Sequence, residues 1–426
     1  MDVTDKIIKA REMEEFDYEN RTVLLRLDIN CPIDPITRRI ANEYRLDMSV
    51  PTISYLLEQG AKLAIIAHQG DTLDYHNLIP MKEHAEKLSQ KLSREIKYID
   101  DVAGIAAQNA IRKLKPGEAV LLGNLRYLTE EVSTFENVVK LKPKEMLDTY
   151  LVRNLSPLVD YYVNDAFSAA HRNAPSMVAF QELKPSAIGF LFAKEMKALT
   201  RIVKSSEKPN IFVLGGLKIS DAFGMIKEVL EKNIADKILT CGVVGNIMLM
   251  AKGFDLGEKN YNFIKGRSLD KYIEVAREHI QRYPDRVICP EDLAYELNGQ
   301  RKEILVEELP YDALFMDIGS KTIKIYSEEI KKAKTIFVNG PAGAYERELM
   351  SLGTKNIWEA IVDSEGYSAV GGGDTVASAQ SFVDMSKIDY VSTAGGALIR
   401  FLSGVKLPLI EAMERAYERE LQHKNL

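Results

Sequence analysis

Short apolar, β-branched runs alternate along this chain with longer stretches in which apolar residues recur every three or four positions. The short runs fall at 22–27, 62–67, 96–99, 119–122 and 160–163, and a second series falls at 210–214, 237–240, 286–289, 313–317, 335–338, 367–370 and 389–392. Runs that are apolar throughout suit strands covered on both faces. The longer segments, such as 50–59, 81–92, 221–232 and 271–282, carry helical spacing. Strand–helix alternation of this kind predicts an α/β chain of parallel sheets with helices on both faces.

Two strand series predict two doubly wound parallel-sheet domains with an interdomain cleft. The join falls near 185–198, where GFLFAKEMKALTRIV reads as one long connecting helix. The expected division is therefore 1–185 and 186–404, the second domain opening with that helix. The 426 residues are enough for two or three domains at roughly 100–200 residues each.

Composition narrows the classes. A net charge of −6 argues against a nucleic-acid binder, which needs a basic face, although it allows a local basic pocket. Cys31, Cys241 and Cys289 are far apart, with neither CxxC nor metal-ligand spacing, so a reducing, cytoplasmic setting is expected. The N-terminus MDVTDKIIKAREMEE has no apolar core of a signal peptide, and the apolar stretch around 241–251 is too short to span a bilayer. The expected partners are small molecules, with no nucleic acid and no membrane, and the expected assembly is a monomer or homodimer.

In open α/β sheets ligands bind at the carboxyl ends of the strands. In the second half those ends are rich in glycine: Gly215-Gly216-Leu217-Lys218, Gly242, Asn339-Gly340-Pro341-Ala342-Gly343, Gly371-Gly372-Gly373-Asp374-Thr375 and Gly395-Gly396. Glycine lets backbone approach a ligand, and a helix start offers free N–H groups, so phosphate is the natural guest. Asp374 is placed to hold Mg²⁺ on those phosphates. Lys218 is the cation suited to a transferring phosphoryl group. Neither GxxxxGK[ST] nor GxGxxG occurs, which removes the P-loop and dinucleotide signatures.

In the first half the strand ends carry cations and hydrogen-bonding groups instead. Arg26, Asp28 and Asn30 close the first strand, His68 the second, Arg126 follows the fourth, and Asn164, Asp165, His171 and Arg172 follow the fifth; Arg45 precedes the first helix. Singly, each arginine fits a surface ion pair and each aspartate a turn cap. Together they read as a pocket for carboxylate or phosphate oxygens, which the guanidinium fork grips bidentately. A cationic acceptor site and a nucleotide site on two domains suit a kinase that closes by hinge motion.

RLDINCPIDP, NLRY, YYVNDAFSAAHR, VLGGLKISD, DIGSKT, FVNGPAGAYE, VGGGDTVASA and VSTAGGA, in this order and over nearly the whole chain, resemble the phosphoglycerate kinase family in its archaeal form. The resemblance implies two Rossmann-like domains, with a C-terminal segment, 405–426, returning to the first. It implies Mg²⁺-dependent phosphoryl transfer between 1,3-bisphosphoglycerate with ADP and 3-phosphoglycerate with ATP, ATP or ADP being substrate. By motif, Arg26, Asp28, Asn30, Arg45, His68, Arg126 and Arg172 would hold the acceptor, and Arg45 and Lys218 would be catalytic. Gly215, Gly216, Lys218, Gly242, Asn339, Glu346, Gly373, Asp374, Thr375, Gly395 and Gly396 would hold the nucleotide, with Glu346 on the ribose and Asp374 on the metal.

The departures from the family pattern lie on the acceptor side. Where the family has HxxR this chain has His68-Gln69-Gly70-Asp71, followed by a loop, TLDYHNL, one residue longer and lacking Arg-Pro. Asp47 stands where the family writes a cation, and Leu217, Ser320 and Ala394 replace smaller or stiffer residues. Replacing an arginine by aspartate forfeits about 1.5–3 kcal/mol of charge-assisted hydrogen bonding and adds repulsion of a dianion. The alternative acceptor is therefore a different small carboxylate. A non-catalytic nucleotide-binding protein is the third reading, and retention of Arg45, Lys218 and Asp374 opposes it.

Overall fold

The computed structural model describes residues 8–71, 76–204 and 207–424, and the chain divides into two compact units, Met1–Lys197 with Lys406–Leu426, and Ala198–Val405. Residues 72–75 of the lengthened loop and the first seven residues lie outside the described ones.

The first unit is built on β1 (Arg11–Glu12), β2 (Thr22–Leu27), β3 (Lys62–Ile66), β4 (Ile96–Tyr98), β5 (Ala119–Leu121), β6 (Tyr161–Asp165) and β7 (Ser186–Ile188). They form one sheet in the order β1-β7-β6-β2-β3-β5-β4, every pair parallel. Val23, Leu24 and Leu25 are all fully buried although neighbours on a strand face opposite ways, so both faces of β2 are covered. The C-terminal helix Pro408–Lys424 packs on this unit: Glu420 pairs with Arg11 at 3.1 Å and accepts the Ser186 N–H at 3.0 Å.

The second unit contains β8 (Asn210–Leu214), β9 (Lys237–Thr240), β10 (Val287–Ile288), β14 (Thr335–Asn339), β15 (Tyr367–Val370) and β16 (Tyr390–Val391), in the parallel order β10-β9-β8-β14-β15-β16. In chain order this is 3-2-1-4-5-6, the doubly wound arrangement whose order reverses between its first and fourth strands. A separate sheet joins β11 (Asp292–Leu297), β12 (Gln300–Leu305) and β13 (Asp317–Ile318), all antiparallel.

Two expectations are corrected. Ser186–Ile188, assigned by the sequence reading to the second domain, is β7 of the first sheet, paired with β6 and β1; the connecting helix begins only at Phe190 and runs to Val203. The strand expected at 313–317 is reduced to Asp317–Ile318, which pairs with β11 at Ala294 and Leu293.

Candidate active site

In the second unit the loops that follow β8, β9, β14 and β15 emerge side by side at the carboxyl edge, on both sides of the point where strand order reverses. They line a cavity of about 330 Å³ that includes Gly215, Gly216, Lys218, Gly242, Asn339, Glu346, Asp374 and Thr375. The helices Ile219–Glu231, Gly242–Ala251 and Gly373–Phe382 start at these loops, so their positive dipole ends gather there.

Many of the glycines serve contact between the loops themselves. Gly340 has φ +89°, and a Cβ there would overlap the carbonyl of Gly215. Asn339 donates from Nδ2 to the Gly371 carbonyl at 2.8 Å, and Gly340 N–H donates to Thr375 Oγ1 at 2.8 Å, which ties the two turns. Lys218 Nζ lies 3.2 Å from Asp374 Oδ2, with both side chains more than half exposed.

Gly373, Gly395 and Gly396 are not among the residues that line the cavity. A Cβ at any of them would meet nothing within 4 Å. They border open space, where a ligand can reach their backbone.

Part of the cavity wall is apolar and was not anticipated from sequence. It includes Val243, Phe263, Ile264, Leu293, Leu314 and Met316. Asp317, which also lines the cavity, accepts from Arg301 Nη1 at 2.8 Å and from the Gly353 N–H at 2.8 Å. Burial pushes the Asp317 carboxyl up to about 6, against the pull of Gly353 and Arg301. Arg301 also donates to the carbonyls of Ile318 and Leu349, at 2.7 and 3.0 Å, and so braces the turns beneath the cavity.

The first unit brings its predicted groups together at the carboxyl ends of β2, β3, β5 and β6. Arg45 and Ser168 Oγ both donate to Asp28 Oδ2. Burial alone would raise the Asp28 carboxyl; the Arg45 charge, the Ser168 hydrogen bond and the Arg26 charge outweigh it and hold the group well below its usual range. Asn30 Oδ1 accepts the Gly70 N–H at 3.0 Å, and Arg126 Nε donates to the Gly70 carbonyl at 3.3 Å. Burial, then the nearby Arg172 charge, brings the Arg126 guanidinium down to about 10, with Asp71 and Glu131 opposing. Arg172 itself is anchored by Glu136 at 2.6 Å.

Arg26 takes a different place from the one expected. It is 2% exposed and spends its guanidinium on Ser176, the Leu27 carbonyl and His68 Nδ1. A guanidinium only donates, so Nδ1 accepts and the ring proton of a neutral His68 sits on Nε2. Burial and the Arg26 charge hold His68 well below its usual pKa. Arg26 thus backs the basin rather than facing it.

The two acidic departures behave differently. Asp47 is turned to Lys91, at 2.6 Å, in an exposed ion pair on the helix surface. Asp71 is half-buried, accepts from Ser133 Oγ at 2.9 Å, and lies close enough to Arg126 to offset its charge. Gly70 before it has φ +73°, and a Cβ would overlap the backbone of Asn77, so Asn77 comes this close only to glycine.

Comparison with known proteins identifies the family. A family model described as phosphoglycerate kinase matches residues 13–405. A phosphoglycerate kinase of Methanothermus fervidus is 41% identical over 413 residues, spanning 97% of this chain and 99% of its own length. One of Pyrococcus furiosus is 40% identical over 417 residues, spanning 96% and 98%. Among solved structures, phosphoglycerate kinase from Pyrococcus horikoshii OT3 aligns with a TM-score of 0.84 at 39% identity, and that from Coxiella burnetii with 0.80 at 28%; each alignment covers 96% of this chain and 99% of the other.

Proposed function

This chain belongs to the phosphoglycerate kinase family, and from that premise we infer how its two units share phosphoryl transfer between 1,3-bisphosphoglycerate with ADP and 3-phosphoglycerate with ATP. It is a phosphotransferase with a carboxylate acceptor. The second unit takes the nucleotide. The base lies against the apolar wall, the ribose near Glu346, and the phosphates at the start of the helix Gly373–Phe382, with the open backbone at Gly373, Gly395 and Gly396 admitting them.

The first unit takes the acceptor. Arg126 and Arg172 face its phosphate, Asn30 and His68 orient its polar groups, and Asp28 holds Arg45 for the transferring phosphoryl group. A carboxylate oxygen is already a nucleophile, so no general base is required. The rate comes from alignment and from charge neutralisation by Arg45 and Lys218.

Mg²⁺ fits the donor set. Among the described residues no three His, Cys, Asp or Glu side chains gather to cage a metal. Magnesium needs only one or two carboxylates when nucleotide phosphates complete its shell. The exposed Asp374 at the phosphate end supplies one, and the ion would neutralise the phosphate charge there. The three buried free thiols support a reducing, cytoplasmic setting. No helix among the described residues is long and apolar enough to cross a membrane.

The observation that carries the acceptor assignment is the crowding of Arg126 and Arg172 in front of the buried Arg26: burial first, and then the Arg172 charge, lowers the Arg26 and Arg126 guanidinium groups although Glu131 lies near both and Asp71 near Arg126. Such a basin suits a polyanion better than a single carboxylate. A coupled assay with MgATP and 3-phosphoglycerate tests it. Saturable turnover is expected, whereas ATP turnover only with a different carboxylate would reject the assignment.

A further inference from the structure

Gln69 is fully buried one position after His68, and its hydrogen bonds run to three places. Cys31 N–H donates to Gln69 Oε1 at 2.9 Å while Gln69 Nε2 donates to the Cys31 carbonyl at 3.0 Å, a two-bond bridge that copies a strand pairing. On its other side the Gln69 N–H donates to Asn124 Oδ1 at 3.1 Å, and Asn124 Nδ2 donates to the Gln69 carbonyl at 2.8 Å. His84 Nε2 lies 3.0 Å from the same Oε1. That oxygen accepts, so the ring proton is on Nε2, and burial pushes His84 down to about 4, leaving it neutral.

The network ties together the loops after β2, β3 and β5, and each loop carries a group of the acceptor basin. Cys31 adjoins Asn30, whose Oδ1 accepts from Gly70; Asn124 Oδ1 also accepts the Arg126 N–H at 3.0 Å. A displacement of the Gln69 amide moves Asn30, Gly70 and Arg126 together. Both ends of the buried Gln69 amide are engaged, which fixes one arrangement of the surrounding loops, and a site loosened by about 1 Å loses function before it loses fold.

We propose that Gln69 is a positioning residue for the phosphoglycerate end of the reaction, setting the spacing of three strand-end loops without touching substrate. This rests on the assignment of the acceptor to the first unit. The isosteric variant Gln69→Met removes the side-chain hydrogen bonds at nearly constant volume. Its KM for 3-phosphoglycerate is expected to rise tenfold or more, with KM for MgATP within twofold of wild type.

Gln69→Glu, its carboxyl kept protonated by burial, retains the acceptor bonds from Cys31 and His84 and replaces the amide donation to the Cys31 carbonyl by a hydroxyl donation of altered geometry. It is expected to raise the phosphoglycerate KM about threefold, again leaving KM for MgATP unchanged, and it serves as the test if the methionine variant does not fold. Equal rises in both KM values, or a lower melting temperature with neither KM changed, would reduce Gln69 to a structural residue and overturn the proposal. Wild type run in the same assay separates the two questions: a wild type inactive on 3-phosphoglycerate overturns the acceptor assignment, and an active one leaves the variants to decide on Gln69.

Discussion

Lys218 Nζ and Asp374 Oδ2 stand 3.2 Å apart, at the first turns of the helices that follow β8 and β15. Their side chains are 60% and 69% exposed, so the ion pair is worth under about 1 kcal/mol and yields readily to an arriving ligand. The two charges then separate to opposite tasks, the ammonium to the transferring phosphoryl oxygens and the carboxylate to a phosphate-bound cation.

If Lys218 acts on charge that develops during transfer, Lys218→Ala lowers kcat by about 10²–10³ and changes nucleotide affinity only a few-fold. Steady-state kinetics beside nucleotide titration measures both. Parallel losses in kcat and affinity would reassign Lys218 to ground-state binding.

Gly373 separates a ligand-facing glycine from a packing one. A methyl at Gly373 meets nothing within 4 Å and sits in a helix, where alanine is favoured over glycine by about 1 kcal/mol. Gly373→Ala should therefore melt no lower than wild type and bind ATP several-fold more weakly. Gly340→Ala, forced against Gly215 at positive φ, should lose melting temperature first. Unchanged ATP affinity in Gly373→Ala would remove that residue from the phosphate site.

The central strands were legible because their burial on both faces leaves unbroken apolar runs: 22–27, 210–214, 237–240 and 367–370 have the observed bounds. β7 was hidden because its Ser-Ala-Ile runs into the apolar start of the next helix, and periodicity cannot divide such a stretch. The β11–β12 hairpin reads as polar surface; its one signal was Asn298-Gly299, both at positive φ as a two-residue hairpin turn requires. The glycine turns announced the phosphate end, while the bracing of Asp317 by Arg301 and of three loops by Gln69 depends on contacts distant in sequence. Asp47 misled for a simpler reason: two residues along a helix is a rotation of about 200°, so it cannot share the face on which Arg45 meets Asp28.

Asp71 weakens the anion basin by offsetting Arg126. Asp71→Asn keeps an oxygen for the Ser133 hydroxyl and removes the charge. KM for 3-phosphoglycerate should fall about three- to tenfold at low salt, and less at high ionic strength. A KM that stays level or rises would show that Asp71 aids binding.

Asp165 supplies a pH signature of stability. Burial is the main cause that raises its carboxyl from 3.8 to about 6, although Thr52 Oγ1 and the Phe192 N–H donate to it at 2.6 and 2.8 Å. The native state thus keeps a proton that the unfolded chain has released, and this stabilisation is complete below pH 4 and lost as pH rises through 6. Relative to Asp165→Asn, wild type should lose about 2–3 kcal/mol between pH 4 and 7. Denaturant melts of both proteins across that range test this, and parallel curves would contradict it.

The acceptor assignment is tested most directly by calorimetric titration of 3-phosphoglycerate into wild type and into Arg126→Met, with ATP titrated into both as control. Wild type should bind 3-phosphoglycerate saturably, and the variant should bind it ten- to a hundredfold more weakly, the worth of one charge-assisted contact, with ATP affinity unchanged. Equal phosphoglycerate affinity in the two proteins would contradict the placement of the acceptor in the arginine basin of the first unit.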